Sequence, residues 1–207
     1  MATDKKIVMF DFDGVLINTI EHSYNIHKIN NPDLSWERFQ SYHDGNFFDG
    51  YGKAVETGEH IPADDFLGEY NKAIKALSIN EILHDCVIRL SESYILVIVS
   101  STRSSFISDF LEKEGLSKYF IDIFGADIHT SKIVKIKSVL EKYSVGPNNC
   151  VFITDTLGDI KEAKECGVLS VAVTWGVHRH EKLKDGNPIA IVDDPSDLAR
   201  TIEDVLK

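Results

Sequence analysis

A short apolar run near the start of the chain ends abruptly on two aspartates. The segment 7–14 reads IVMFDFDG, so Asp11 and Asp13 follow directly after four consecutive apolar residues. A run of this length without polar alternation is typical of a strand buried on both faces, in the middle of a parallel sheet. Ligands of open α/β sheets bind outside the carboxyl ends of the strands, so we expect both carboxylates at a ligand site. The alternative is a solvated acidic turn in which Gly14 supplies a positive φ.

The length and the net charge of the chain indicate which kinds of protein it can be. The 207 residues, of which 43% are hydrophobic, suit one domain with a modest insertion. A net charge of -11 repels polyanions, which disfavours binding to nucleic acid or to an anionic membrane. We find no apolar leader or membrane span and predict a cytoplasmic protein. Cys86, Cys150 and Cys166 lack metal-binding spacing and are expected to be reduced core residues.

The second half of the chain alternates strand and helix patterns. Strands are predicted over 94–100, 148–155, 169–175 and 189–193, and helices over 81–91, 104–114, 133–143, 159–167 and 194–207. Alternating elements with short connections are typical of an α/β fold. We therefore predict a Rossmann-like parallel sheet with helices on both faces.

The interval between the first two strands is too long for a single crossover helix. Because 81–91 supplies that helix, residues 18–78 are predicted to form a small inserted α-helical domain. The α/β core domain then consists of 1–17 and 79–207. Within the insert, helical segments are predicted around 21–29, 35–42, 50–56 and 63–77.

Polar side chains end three of the predicted strands. They are Asp11 and Asp13 after the first strand, Ser100 and Ser101 after the second, and Asp155 after the third, with Asp159 on the following helix. In a parallel sheet these ends lie side by side, and converging carboxylates repel one another unless a cation lies among them. Oxygen ligands with room for water and phosphate suit Mg²⁺. Lys132 can place an ammonium at the same edge, so the arrangement indicates phosphoryl transfer.

The order of these residues resembles the haloacid dehalogenase superfamily of aspartate-nucleophile phosphohydrolases. Its first motif, DxDG[TV], is met by DFDGV at 11–15, and its second, a Ser or Thr closing an apolar strand, by Ser100. Its third, a lysine at the start of a helix, is met by Lys132, and its fourth, a paired acid after a strand, by DTLGD at 155–159. The insert 18–78 is similar to the family's helical C1 cap, and we expect it to act as a lid.

The sequence departs from the family pattern at two places. Many relatives have Gly before the fourth-motif Asp, whereas this chain has Thr154, which we expect to tighten the turn without removing a ligand. Lys135 and Lys137 lie close to Lys132 and compete with it for the third-motif role.

The resemblance implies a role for each acidic residue. Asp11 is the expected nucleophile, which forms an aspartyl-phosphate, and Asp13 is the expected general acid and base. Asp155 is expected to bind Mg²⁺ directly and Asp159 to ligate it or to orient a metal-bound water. The metal site would then comprise Asp11, Asp13 through its backbone carbonyl, Asp155 and Asp159. The alternative for Asp159 is a helix N-cap.

The resemblance also implies a phosphate-binding set. Ser100 is expected to donate a hydrogen bond to a phosphoryl oxygen, and the backbone amide of Ser101 adds a second donor. Lys132 is expected to neutralise phosphoryl charge. The competing interpretation of Ser101 is a strand-to-helix turn.

These roles predict a Mg²⁺-dependent phosphatase that acts on a small phosphorylated metabolite and resembles phosphoglycolate phosphatases. Asp13 argues against dehalogenases and phosphonate hydrolases, which replace it. A phosphomutase of the same fold and a non-catalytic binding protein that keeps the fold are the alternatives. His178 and His180 lie in a polar segment and are expected to be solvated.

Overall fold

Six parallel strands form one sheet in the computed structural model, which describes residues 5–58 and 66–207. The strands are β1 (Ile7–Phe10), β2 (Ile95–Val99), β3 (Phe120–Phe124), β4 (Cys150–Thr154), β5 (Leu169–Val173) and β6 (Ala190–Val192). Their order across the sheet is β3-β2-β1-β4-β5-β6. The strand that carries the two aspartates thus lies between β2 and β4, near the middle of the sheet.

Ten α-helices accompany the sheet within these described residues. They are α1 (Ile20–Asn30), α2 (Trp36–Ser41), α3 (Phe47–Glu56), α4 (Phe66–Ala76), α5 (Glu81–Ser91), α6 (Ser104–Lys113), α7 (Lys132–Tyr143), α8 (Leu157–Glu165), α9 (His180–Lys184) and α10 (Leu198–Val205). The predicted α/β fold with a helical insert is confirmed. The first residues of the insert's predicted last helix, 63–65, lie outside the described residues.

Alternate residues of the strands pack on opposite faces of the sheet. Val8 and Phe10 join a buried cluster with side chains of α5, α6 and α10, whereas Ile7 and Met9 join one with α7 and α8. Since side chains alternate along a strand, a central strand covered by helices on both faces has to be apolar throughout. The uninterrupted apolar run 7–10 is therefore explained by the helices on both faces.

The sequence patterns missed β3 and α9. In β3 the sequence FIDIF places Asp122 in the middle of the strand, and Ile121 is 62% exposed, because β3 is an edge strand. An edge strand of this kind lacks the continuous apolar run of the central strands. Helix α9 has only five residues, too few for helical periodicity to be recognised.

The inserted segment packs against the core as well as on itself. One buried cluster consists of Ile20, Leu34, Phe39, Tyr42, Ala54 and Val177. Val177 comes from the chain after β5, and Ile74 of α4 belongs to the same cluster as Phe12 after β1 and Ile107 of α6. The division into domains 1–17 with 79–207 and 18–78 stays a prediction. None of the described helices combines the length and apolarity that a membrane crossing requires.

Candidate active site

Asp11 directly follows the end of β1 and is buried. Its backbone N–H donates to the carbonyl of Ile153 on the neighbouring β4 at 2.9 Å, so the residue continues the hydrogen bonding of the sheet. Its carboxylate oxygen Oδ1 accepts from the N–H of Phe12 at 2.7 Å. These two contacts fix the carboxylate at the carboxyl edge of the sheet, where the sequence predicts it.

Lys132, the first residue of α7, bridges two of the predicted acidic residues. Its Nζ lies 2.7 Å from Oδ2 of Asp11 and 2.5 Å from Oδ2 of Asp159, and all three side chains are buried. Burial by itself would lower the pKa of Lys132, but the two carboxylates raise it above its usual value. The lysine is therefore held as a cation between the two acids.

Lys135, one turn further along α7, does not reach the carboxylates. Its buried Nζ donates to the backbone carbonyl of Ser100 at 2.6 Å. Burial and the nearby charge of Lys132 lower the pKa of Lys135 to about 8. Of the two lysines, the geometry therefore places Lys132 at the acidic residues and Lys135 beneath the end of β2.

Thr154 takes part in the site, which the sequence did not predict. Its hydroxyl donates to Oδ2 of Asp159 at 2.7 Å. Burial opposes ionisation of Asp159, but the charge of Lys132 and the hydrogen bonds to this carboxylate hold its pKa below the usual value. The expected N-cap alternative for Asp159 is wrong, because the hydroxyl of Thr156 caps α8 by accepting from the Asp159 N–H at 3.2 Å.

Asp155 follows β4 and is fully buried. Its Oδ2 accepts from the N–H of Val177 at 2.7 Å. Glycines flank the carboxylate on two sides, since a Cβ added to Gly14 or to Gly176 would lie 2.0 Å from Oδ2. Gly14 also has a φ of +72°, which other residues rarely adopt, so this glycine is required by both conformation and space.

The charges of the site fit a divalent cation. Asp11, Asp155 and Asp159 are three buried carboxylates, and Lys132 is the cation in contact with two of them. Burial raises the pKa of Asp11 above its usual range and that of Asp155 to about 7, so their ionised forms need further positive charge nearby. Oδ1 of Asp155 is buried without a hydrogen-bond partner in the described structure, as expected of a ligand atom.

Asp13 and Asp159, two of the four predicted metal ligands, have other side-chain partners. Asp159 is engaged by Lys132, and the carboxylate of Asp13 is engaged by hydroxyls, which leaves its backbone carbonyl as the expected ligand atom. In the described ranges, no group of three or more His, Cys, Asp or Glu side chains converges in metal-binding geometry. The assignment of Mg²⁺ to these four residues stays a prediction, and Asp11 and Asp155 are the side chains that fit it best.

Four hydroxyl groups surround the carboxylate of Asp13. Thr19 donates to Oδ1 at 2.7 Å, Thr102 donates to Oδ2 at 2.7 Å, and Ser100 lies 3.4 Å from Oδ2. Tyr70, on helix α4 of the insert, also donates to Oδ1. Asp13 is thus held by groups from both the core and the insert.

Ser100 and Ser101 occupy different positions. Ser100 is fully buried, and its hydroxyl accepts from the N–H of Thr102 at 3.0 Å. Ser101 and Thr102 line the cavity above the carboxylates, whereas Ser100 does not. The phosphate-binding roles of Ser100 and Ser101 stay predictions.

Two further residues join the insert to the site, and the sequence indicated neither. Glu162 on α8 accepts from the backbone N–H of Lys132 at 3.0 Å and from the side-chain amide of Asn46 in the insert at 3.2 Å. His178, which we expected to be solvated, is buried. Its Nδ1 accepts from the N–H of Leu157 at 2.9 Å, and its Nε2 lies 3.2 Å from the carbonyl of Gln40. These contacts depend on chain segments that are distant in sequence, so no local pattern announces them.

A cavity of about 580 Å³ lies above the carboxylates. Its floor includes Asp11, Asp13, Lys132, Asp155 and Asp159. Its opposite wall comes from the inserted helices α1, α2, α3 and α4. The acidic residues that follow β1 and β4, with Asp159 of α8, therefore face one cavity that the insert covers.

The fold and the site define the class of protein. An ion pair between buried acids and a lysine lies at the carboxyl end of a central parallel strand, beneath a cavity that the insert covers. This arrangement is that of an α/β enzyme with an acidic active site. A model of the haloacid dehalogenase-like hydrolase family matches residues 8–173. The chain therefore belongs to the haloacid dehalogenase-like hydrolase family, and the resemblance of its motifs to the phosphatases of that superfamily is confirmed.

Individual relatives agree with this assignment along the whole chain. The chain is 25% identical to a phosphoglycolate phosphatase of Vibrio parahaemolyticus, over 96% of each sequence. It is 24% identical to the pyrophosphatase PpaX of Oceanobacillus iheyensis, over 96% of this chain and 97% of that one. Among solved structures, a hydrolase from Pseudomonas syringae superposes with a TM-score of 0.80 at 17% identity, covering 98% of this chain and 100% of that one.

Proposed function

We propose that the protein is a Mg²⁺-dependent phosphatase that hydrolyses the phosphate monoester of a small metabolite through an aspartyl-phosphate on Asp11. One observation carries this proposal. Lys132 bridges Asp11 and Asp159 at the end of the central strand, on the floor of a cavity large enough for a metabolite. The similarity to a phosphoglycolate phosphatase supports the reaction class. We further propose that the enzyme works in the cytoplasm, which agrees with the free state of its three cysteines.

The side chains supply the groups that two successive displacements need. A carboxylate oxygen of Asp11 forms a bond to phosphorus while the bond from phosphorus to the alcohol oxygen breaks, and Asp13 gives that oxygen a proton. A water molecule then attacks phosphorus, the bond to Asp11 breaks, and Asp13 takes the proton of the water. Lys132 and donors at the end of β2 neutralise the phosphoryl oxygens during both steps.

The metal would be held by Asp11 and Asp155, with Asp159 in support. When bound, Mg²⁺ supplies positive charge that lets an anionic nucleophile approach an anionic phosphoryl group. The partnerless Oδ1 of Asp155 and the excess of buried carboxylates over lysine support this assignment.

Phosphate release from p-nitrophenyl phosphate tests the proposal. We expect EDTA to abolish release and added Mg²⁺ to restore it, with p-nitrophenol and inorganic phosphate as the products. Full activity in EDTA would contradict the metal assignment.

Substituting each aspartate of the first motif by asparagine should block a different step of the reaction. Asp11→Asn lacks the nucleophile, so activity should fall to background. Asp13→Asn keeps the nucleophile but cannot transfer the proton. It should still be phosphorylated by p-nitrophenyl phosphate, whose leaving group needs no proton, and its aspartyl-phosphate should then be hydrolysed slowly. Acid-quenched mass spectrometry should find phosphate on Asp11 in Asp13→Asn and none in Asp11→Asn. Wild-type turnover by Asp11→Asn would refute the nucleophile assignment.

A further inference from the structure

The insert's wall of the cavity carries aromatic and apolar side chains instead of charged ones. Phe39, Phe47, Phe48, Tyr51, Leu67 and Tyr70 line it. In the described residues of the insert, no Lys, Arg, Asp or Glu lines the cavity. The segment 59–65, EHIPADD, contains neither Lys nor Arg. The wall that a substrate's leaving group faces thus consists of rings and aliphatic carbon, together with the hydroxyls of Thr19 and Ser23 and the imidazoles of His27 and His43.

The rings of this wall are packed against one another. Phe47 and Tyr51, four residues apart on α3, stack with an interplanar angle of 9° and centroids 5.9 Å apart. The Phe48 ring lies 5.7 Å from that of Phe47 at 72°, and the His43 ring lies 4.9 Å from it. Such mutually packed rings form a preorganised surface for another ring, because aromatic pairs favour stacked and edge-to-face contacts.

His43 does not serve as a cation on this wall at neutral pH. Its Nδ1 lies 3.3 Å from the carbonyl of Phe39, which can only accept, so Nδ1 carries the proton and Nε2 is an acceptor. Burial, followed by the nearby His178, lowers the pKa of His43 to about 4. The ring therefore adds a neutral aromatic face to the cavity.

The Lys and Arg side chains that line the cavity, Lys132 and Arg103, belong to the core. Lys132 is held between Asp11 and Asp159. Arg103, which is exposed, is close enough to Asp127 for its charge to favour the ionised form of that acid. A second anionic group that rests against the described part of the insert's wall would therefore lose its hydration without a Lys or Arg of that wall to replace it.

We propose that the physiological substrate is the phosphate monoester of an uncharged alcohol that carries an aromatic or similarly flat ring. This inference rests on the proposed phosphatase function and narrows its substrate class. The cavity volume of about 580 Å³ exceeds what a two-carbon acid fills and lies in the range of roughly 300–1,000 Å³ that is usual for larger organic ligands. The specificity thus departs from that named for the relative in Vibrio parahaemolyticus, which is 25% identical.

A pair of esters with similar leaving chemistry tests the proposal. Benzyl phosphate and 2-phosphoglycolate are both esters of primary alcohols, but the first carries an uncharged ring and the second a carboxylate. We expect kcat/KM with Mg²⁺ to be at least about 100-fold higher for benzyl phosphate. Equal or better hydrolysis of 2-phosphoglycolate would overturn the substrate inference and leave the phosphatase function standing. If the protein releases phosphate from none of the three compounds, benzyl phosphate, 2-phosphoglycolate and p-nitrophenyl phosphate, the phosphatase function itself is overturned, and the inference with it.

A charge placed on the insert's wall should shift this preference. Leu67, on α4, lines the cavity and is 43% exposed, so Leu67→Arg adds a cation where a carboxylate would lie. We expect the ratio of kcat/KM for 2-phosphoglycolate over benzyl phosphate to rise at least 10-fold. Ile82 on α5 is 46% exposed and does not line the cavity, so Ile82→Arg is the matched control and should keep the wild-type ratio. A ratio that is the same in both variants would contradict the proposed role of this wall.

Discussion

Two buried lysines on the first turns of α7 have opposite electrostatic environments. Lys132 is bonded to two carboxylates, which raise its pKa, whereas Lys135 is bonded to the carbonyl of Ser100, and burial lowers its pKa to about 8. Burial disfavours the charge on both, so the difference comes from their partners. Lys132 is suited to hold a charge at the site, and Lys135 becomes neutral in a moderately alkaline solution.

The lowered pKa of Lys135 makes stability depend on pH. Between about pH 8 and the unfolded value of 10.5, the unfolded chain binds a proton at Lys135 that the folded chain has lost. The free energy of unfolding should therefore rise with pH across this window, by about 3 kcal/mol in total from this residue. We expect the rise to be absent in Lys135→Met, measured by urea unfolding at pH 7.5 and pH 10 without added metal.

The neighbouring Lys137 provides the control for this measurement. It is exposed on the same helix, so Lys137→Met should keep the wild-type increase in unfolding free energy. If the free energy of unfolding changes with pH in the same way in the wild type and in Lys135→Met, the pKa of Lys135 is not lowered by burial.

The sequence was informative about residues at strand ends and uninformative about their supporting contacts. Asp11 and Asp155 were predicted because the carboxyl ends of parallel strands must meet, and Lys132 was predicted from its resemblance to the family's third motif. The partnership of Thr154 with Asp159 and the burial of His178 were missed. Both depend on the angles at which segments pack, and a polar residue in an irregular segment is by itself more often solvated.

Helix α8 fixes the start of helix α7 through one carboxylate. The buried Oε1 of Glu162 accepts from the N–H groups of Lys132 at 3.0 Å and Ile133 at 3.4 Å. The first N–H groups of a helix lack partners within the helix, and the helix dipole favours a negative charge there. Glu162 is therefore a positioning residue that sets where the Lys132 side chain begins.

Removal of this carboxylate should reduce both stability and turnover. Glu162→Ala leaves buried N–H groups without an acceptor, so we expect a loss of about 1–3 kcal/mol in the free energy of unfolding. We also expect kcat to fall at least about 10-fold, because Lys132 is no longer held at its site. Urea unfolding and steady-state kinetics measure the two effects. Glu165→Ala, at an exposed position of the same helix, should change neither, and equal behaviour of the two variants would contradict the positioning role.

Among the elements, those that carry the site were the ones the sequence predicted well. Strands β1, β2 and β4 are fully or almost fully buried, so their apolar runs are unbroken. Strand β3 escaped prediction since one of its faces is partly exposed and Asp122 interrupts it. Prediction from apolar runs therefore succeeds in the centre of the sheet and fails at its edge.

At the scale of the whole molecule, the insert is docked on the core next to the active site. The N–H of Gly158, on the first turn of α8, donates to the carbonyl of His43 in the insert at 2.9 Å. Lys182 forms an ion pair with Asp44 at 2.9 Å, and Lys161 donates to the carbonyl of Asp44 at 3.0 Å. The segment after α2 thus rests on the helix that follows Asp155, which explains how the insert closes the cavity.

The docked arrangement requires the absence of a side chain at Gly158. A Cβ at this position would lie 2.0 Å from the carbonyl oxygen of Gly45 and 2.9 Å from that of His43, and both atoms belong to backbone. We predict that Gly158→Ala forces the insert away from α8 while the core still folds, because alanine favours a helix by about 1 kcal/mol over glycine. The cavity would then admit water, so kcat/KM should fall at least about 10-fold.

Hydrogen exchange followed by mass spectrometry distinguishes undocking from unfolding. In Gly158→Ala, amides of 40–46 should exchange faster, whereas those of the buried strand 150–154 should keep their wild-type protection. Gly52, on α3, has no atom near its missing Cβ in the described structure, so Gly52→Ala is a control that should retain both the activity and the exchange pattern. If Gly158→Ala behaves like Gly52→Ala, close contact between the insert and α8 is not needed for catalysis, and the insert does not act as a lid through this contact.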